Sequence, residues 1–175
     1  MKNLKIYIII FLIGALGITS CSDFLDATIE GGTVTEEQKK AAIEANPELL
    51  AADVAAMSAN MIELYGILGS GWHNDFGYAA ASLYMDSNGA DMTCANIGYN
   101  WFSTNASYAD REYTGGRALF MWSLFYKQIA SANIVISAVD PETEDPVLKS
   151  YLGQALAIRA FDYMHLAQLF QFTYK

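Results

Sequence analysis

The sequence predicts an all-α protein built as an antiparallel helical array, and three observations predict it. Apolar side chains recur three and four residues apart over long stretches. Helix-start signals stand directly in front of several of those stretches. No segment shows an alternating apolar and polar pattern closed by hairpin turns, as half-buried strands would. The 175 residues are 53% hydrophobic and 17% charged, which is apolar enough for a core and excludes wholesale disorder. Ten Lys and Arg against nineteen Asp and Glu give a net charge of -9. A general phosphate-backbone binder needs a basic face, so no nucleic-acid partner is expected.

Part of the apolar excess belongs to the N-terminus. Lys2 and Lys5 precede an apolar run from Ile6 to Leu16, and Ile18-Thr19-Ser20-Cys21 follows as a small-residue site. This order reads as a secretory signal over residues 1–20, because the run is shorter than the ~20 residues a spanning helix needs. Its last residues resemble the bacterial lipobox, with cleavage before Cys21 and acylation of the new N-terminus. Two or more acyl chains anchor a protein stably without spanning the membrane. A plain secreted chain with a free Cys21 is the alternative.

Removal of residues 1–20 takes both leading lysines and no acid, which leaves eight basic against nineteen acidic residues and a charge of -11. Cys94 is then the one thiol left beside the lipidated Cys21, so no disulfide framework is expected. Cys94 reads as a small buried hydrophobe rather than a nucleophile, since the next histidine is the distant His165.

Residues 21–34, with the Gly31-Gly32 pair, read as a lipid-anchored tether, and residues 35–175 as the helical domain. Thr35 with Gln38 matches a capping box, while Asn46-Pro47 and Asp145-Pro146 each set a capping side chain before a proline at the first helical position. From Pro47 onward Leu50, Val54, Met57, Met61, Leu64 and Leu68 fall on one helical face, a stripe better read as core than as a Met-rich groove. A shorter helix is expected over 74–85, stopped by Ser87-Asn88-Gly89. Residues 95–116 hold no sustained period and read as an ordered, polar and aromatic excursion. From about 117 the spacing of Leu119, Trp122, Tyr126, Ile129, Asn133 and Ile136 restores a helix. An acidic turn over 140–146 leads to a last helix reaching about 173, whose wide apolar girth predicts burial between neighbours.

Cys21-Ser22-Asp23-Phe24-Leu25-Asp26 resembles the start of mature lipoproteins of the SusD/RagB family, glycan-binding outer-membrane lipoproteins of Bacteroidota. Trp122, Tyr126, Ile129, Ala132-Asn133 and Ile136 resemble that family's long helix, and the run from Gly153 to Leu166 (GQALAIRAFDYMHL) resembles its next one. The resemblance covers nearly the whole mature chain. It implies tetratricopeptide-like helix pairs, an outer-membrane location facing the cell exterior, and capture of oligosaccharides beside a SusC-like TonB-dependent transporter. It also implies a longer protein, of which this chain is the N-terminal part, with the helical array incomplete at the C-terminus.

Glycan sites pair flat aromatics with polar groups, because sugar rings present apolar C–H faces and hydroxyls. Tyr99, Asn100 and Trp101 in the excursion have that chemistry, with two readings open for Trp101: contact with glycan, or pinning of its own loop. Trp72, in Trp72-His73-Asn74-Asp75, heads a second candidate. Asn133 and Arg159 read as structural groups, Arg159 in an ion pair and Asn133 hydrogen-bonding across helices.

No metal or cofactor is expected. Asp86-Ser87-Asn88-Gly89-Ala90-Asp91 has Ala90 where a calcium loop needs an oxygen ligand, and His73 and His165 lack partners at zinc-ligand spacing. Asn105-Ala106-Ser107 fits a glycosylation sequon but is discounted in a bacterial lipoprotein. The function that the resemblance implies is non-catalytic capture of oligosaccharides for import, not an enzyme activity. A secreted glycoside hydrolase and a helical protein-binding scaffold are the alternatives. A hydrolase would need two carboxylic acids flanking the bond, and nineteen acids make such pairs uninformative.

Overall fold

The computed structural model describes residues 34–90, 92–95, 98, 100–103 and 112–171. The signal segment, Cys21, most of the tether, Tyr99, the Asn105 sequon and Phe172 lie outside the described residues. From Glu36 onward the chain packs as one unit. Among the described residues all regular structure is helical, which matches the all-α, tetratricopeptide-like array expected from the sequence.

Helix α1, Glu36–Ala45, begins directly after Thr35 and carries Glu36 and Glu37 in its first turn, where the helix dipole favours acids. Asn46 follows in an extended conformation without a side-chain cap bond, contrary to its expected capping role. Its carbonyl instead accepts from Leu49 N at 3.1 Å, and Pro47 opens a short 3-10 turn, Pro47–Leu50. The turn runs into α2, Ala51–Ala59.

The stripe expected to continue to Leu68 is cut at Ala59. Leu50 and Met57 are buried, but Leu64 is 60% exposed. The cut has a tertiary cause, since the buried Asn60 donates from Nδ2 to Ser131 Oγ at 3.0 Å, and Met61 O accepts from Tyr78 N at 2.7 Å. Tyr65 then takes a left-handed φ of 59°, which ends any helical continuation.

Helix α3, Tyr78–Ser87, starts later than the expected position 74 because Asn74 and Asp75 are committed to the preceding loop. It stops where expected, with Asn88 Nδ2 donating to Tyr84 O at 2.8 Å.

Helix α4, Gly116–Ala138, buries Phe120, Met121, Leu124, Phe125, Gln128, Ile129, Ala132, Val135 and Ala138. The spacing located the helix, but the buried arc is rotated from the predicted stripe: Leu119, Trp122 and Tyr126 are 56%, 47% and 38% exposed. Helix α5, Pro146–Phe170, is capped as expected, with Asp145 Oδ1 accepting from Val147 N at 2.8 Å and Leu148 N at 3.0 Å. Its girth is not buried all round. Leu148, Ala155, Asp162, His165 and Leu166 face inward, whereas Leu156, Tyr163, Met164 and Leu169 are exposed.

Helices α4 and α5 run antiparallel, since Asn133 meets Arg159, Phe125 meets His165 and Trp122 meets Phe170. Helix α2 lies along α4 in the same sense, with Gln128 Nε2 donating to Met57 O and Asn60 reaching Ser131. The C-terminal half of α4 closes one core with Ile43, Leu50, Met57, Leu148 and Ala155. Its N-terminal half closes a second core with Ala80, Ala81, Tyr84 and Leu166. That second core carries the candidate site.

An aromatic platform held by a pinned loop

The loop between α2 and α3 is folded back on itself by Asp75. Its carboxylate is fully buried, and Oδ2 accepts from Ile67 N at 2.8 Å and Leu68 N at 2.5 Å. The Asp75 carbonyl also accepts from Tyr65 N, and its own amide donates to Trp72 O, both at 2.8 Å. Two backbone amides on one carboxyl oxygen hold the loop closed at this point. Outside the loop, Lys127 Nζ on α4 holds Glu63 Oε2 at 2.6 Å and donates to Gly66 O at 3.3 Å. Both groups are well exposed, so this pair tethers rather than stabilises strongly.

Gly69 and Gly71, at φ of 89° and 100°, turn the chain through conformations that L side chains rarely adopt. Trp72 and His73 follow directly. The indole of Trp101 stacks on the His73 imidazole, with centroids 5.5 Å apart and planes 6° from parallel. Trp72 stands 6.1 Å from Trp101 at 59°, and Tyr65 flanks His73 at 6.4 Å. Arg117, in the first turn of α4, donates from Nη2 to Trp101 O at 2.8 Å and lies over the Tyr84 ring at 5.9 Å. The Trp72 ring lies over the start of α4, where a β-carbon on Gly116 would meet it at 3.4 Å, an ordinary van der Waals contact.

Two separate candidates thus converge. Trp72 is 40% exposed, His73 is exposed and Trp101 is half-buried, which makes a surface of two tilted indoles with an imidazole stacked on Trp101. Such faces suit the apolar C–H side of a sugar ring. Asn100 is exposed, and its carbonyl accepts from Ser103 Oγ at 3.2 Å. Asn74 and Asp75, in contrast, are buried; Asn74 Nδ2 donates to Tyr84 OH. Only the first half of Trp72-His73-Asn74-Asp75 therefore faces solvent.

Arg159 Nη1 donates to Asn133 Oδ1 at 3.0 Å, so its partner is an amide on α4 and not the expected carboxylate. Cys94 is a free, half-buried thiol rather than a buried one. Among the described residues no group of three or more His, Cys, Asp or Glu is placed to hold a metal ion.

Sequence reasoning passed over the loop-organising role of Asp75 and the support from Arg117. It also passed over two buried polar groups on α5. Asp162 is fully buried with neither carboxyl oxygen hydrogen-bonded, and burial pushes its pKa up to about 7. His165, one turn later, has Nε2 3.2 Å from Tyr78 OH, and burial lowers its pKa. The signal available was an Asp and a His three residues apart on an otherwise apolar helix face.

A family model described as starch-binding and associating with the outer membrane matches residues 23–174. No curated protein and no solved structure matches the chain.

Proposed function

The chain belongs to the SusD-like family, described as starch-binding and associating with the outer membrane, and on that premise we propose that it captures oligosaccharides without catalysis at the outer-membrane surface. The convergence of Trp72, His73 and Trp101 on one exposed face carries this reading. The platform offers stacking surfaces, with Asn100 as the nearby polar group in the sequence. Trp72, the more exposed indole, is the principal sugar contact, while the half-buried Trp101 both supports it and orders its own loop. The captured glycan passes to a SusC-like TonB-dependent transporter for import.

The hydrolase alternative is less well supported at this face. Asp75, the acid beside the platform in sequence, is buried and already holds two backbone amides, so it does not reach a substrate. The scaffold alternative predicts no sugar dependence. Retention in a native gel containing soluble starch separates the three. The parent chain is retarded without releasing reducing ends, and Trp72→Ala weakens retention up to about tenfold, the worth of one aromatic stacking contact. Reducing ends accumulating with time would indicate hydrolysis, and unchanged retention on loss of Trp72 would remove the platform from the site.

We further propose residues 1–20 as the signal, Cys21 as the lipidation site, 21–34 as the tether, and 35–175 as the domain. Two or more acyl chains on Cys21 would hold the platform at the membrane without a spanning segment. Mass spectrometry of the mature parent is expected to show a lipid adduct that Cys21→Ala lacks; an unmodified N-terminus in both contradicts the anchor.

A further inference from the structure

Tyr78 joins the end of the platform loop to α5. The Tyr78 hydroxyl lies 3.2 Å from His165 Nε2, and the same Tyr78 donates its backbone N–H to Met61 O at 2.7 Å, where the loop begins. Tyr78 is also the first residue of α3, directly after the loop that holds Trp72 and His73. Its ring packs 5.2 Å from Phe161 and 5.6 Å from the His165 ring.

The surroundings of His165 are aromatic. Phe125 from α4 stacks on the imidazole at 5.2 Å and 15°, and Phe161 from α5 meets it edge-on at 4.5 Å. Nδ1 is buried with no hydrogen-bond partner. The titratable groups beside it are the Tyr78 phenol from α3 and, one turn earlier on α5, the buried Asp162; α4 presents the uncharged Phe125. A neutral imidazole completes the contact with one nitrogen. Protonation forces a second buried donor to go unmatched, which penalises the closed arrangement.

We propose that Tyr78 and His165 form a latch that positions the platform loop, closed while His165 is neutral and released when it is protonated. Tyr78 and His165 are positioning residues in this account and touch no ligand. The consequence for glycan capture rests on the function proposed above, whereas the coupling itself does not. Burial lowers the His165 pKa, so release falls on the acid side of the ordinary histidine range. The latch makes the platform looser in acid and firm at neutral pH.

The test reads the platform directly. In a Trp122→Phe background, the remaining indoles are Trp72 and Trp101, because the chain has three tryptophans. Their emission is expected to move to longer wavelength as pH falls from 7 to 5, with far-UV circular dichroism unchanged. Tyr78→Phe should show the long-wavelength emission already at pH 7 and no further titration. His165→Gln, which keeps a hydrogen-bonding group but cannot titrate, should hold the short-wavelength emission throughout. A transition surviving His165→Gln would assign it to another group, such as Asp162, and overturn the latch. Parent-like titration in Tyr78→Phe would overturn it as well, so that variant decides the matter should His165→Gln not fold. Starch retention measured on the same samples separates the two claims: an emission titration without retention contradicts the glycan reading and leaves the latch standing.

Discussion

Gly77→Ala is expected to destabilise the protein by about 3 kcal/mol or more, from backbone strain added to overpacking. Gly77 has φ 71° and ψ -148°, a region essentially restricted to glycine. A β-carbon there would lie 2.2 Å from Met61 O and 2.6 Å from the Met61 carbonyl carbon. Both are backbone atoms, so no rotamer change relieves the clash. Relief requires the loop to separate from α3, which breaks the 2.7 Å bond from Tyr78 N to Met61 O. The matched control is Gly153→Ala in α5, where nothing lies within 4 Å and the residue is exposed within a helix. That change should stabilise by about 0.5–1 kcal/mol, the ordinary glycine-to-alanine difference in a helix. Denaturant midpoints moving in opposite directions for the two variants bear out the packing of the loop; equal midpoints contradict it.

The second large effect is a pH dependence traceable to Asp162. Burial pushes its pKa in the fold up to about 7 from the ordinary 3.8, and no hydrogen bond to the carboxylate offsets the lost solvation. The folded state therefore binds a proton that the unfolded state has lost between those two values. Stability falls as pH rises across that window and levels off above it, by about 4 kcal/mol in total for a shift of this size. Between pH 5 and pH 8 the share is about 3 kcal/mol. His165 acts in the opposite direction, since its lowered pKa removes stability as pH falls below the ordinary histidine range. Within the window just below the ordinary histidine range His165 therefore offsets part of the stability that Asp162 adds as pH falls. Asp162→Asn removes the carboxylate and leaves His165 in place, so the difference between variant and parent isolates the Asp162 contribution. The variant should gain on the parent from pH 5 to pH 8, as read from denaturation midpoints at each pH. A difference that does not change with pH would mean that Asp162 is ionised in the fold at an ordinary pKa.

Local chemistry was legible in the sequence at the start of α5 and the end of α3, though not at Asn46, whose side chain makes no cap bond. Asp145-Pro146 fixes the start of α5 because the carboxylate reaches two amides within three residues. Asn88 and Gly89 likewise mark the end of α3. The end of α2 was not legible, since Met61 and Leu64 keep the helical spacing while Asn60 is drawn to Ser131 on α4. The buried arc of α4 was misplaced for a related reason. Apolar residues occupy most of its circumference, so spacing locates the helix but only its neighbours select the face.

The candidate site shows the same division. The aromatic composition around Trp72 and Trp101 pointed to sugar stacking in each segment separately. Their meeting depends on the Asp75 carboxylate closing the loop and on Arg117 fixing the Trp101 carbonyl, neither of which a spacing pattern records. Arg159 was expected to find a carboxylate or carbonyl partner, with an ion pair preferred, and the amide carbonyl of Asn133 takes that place.

Calorimetric titration of a soluble starch-derived oligosaccharide into the parent chain tests the central claim most directly. The parent is predicted to bind with the sugar intact at the end of the titration, and a chain carrying both Trp72→Ala and Trp101→Phe to lose most of that affinity while keeping its helical circular dichroism. Equal affinity in the two chains would contradict the account.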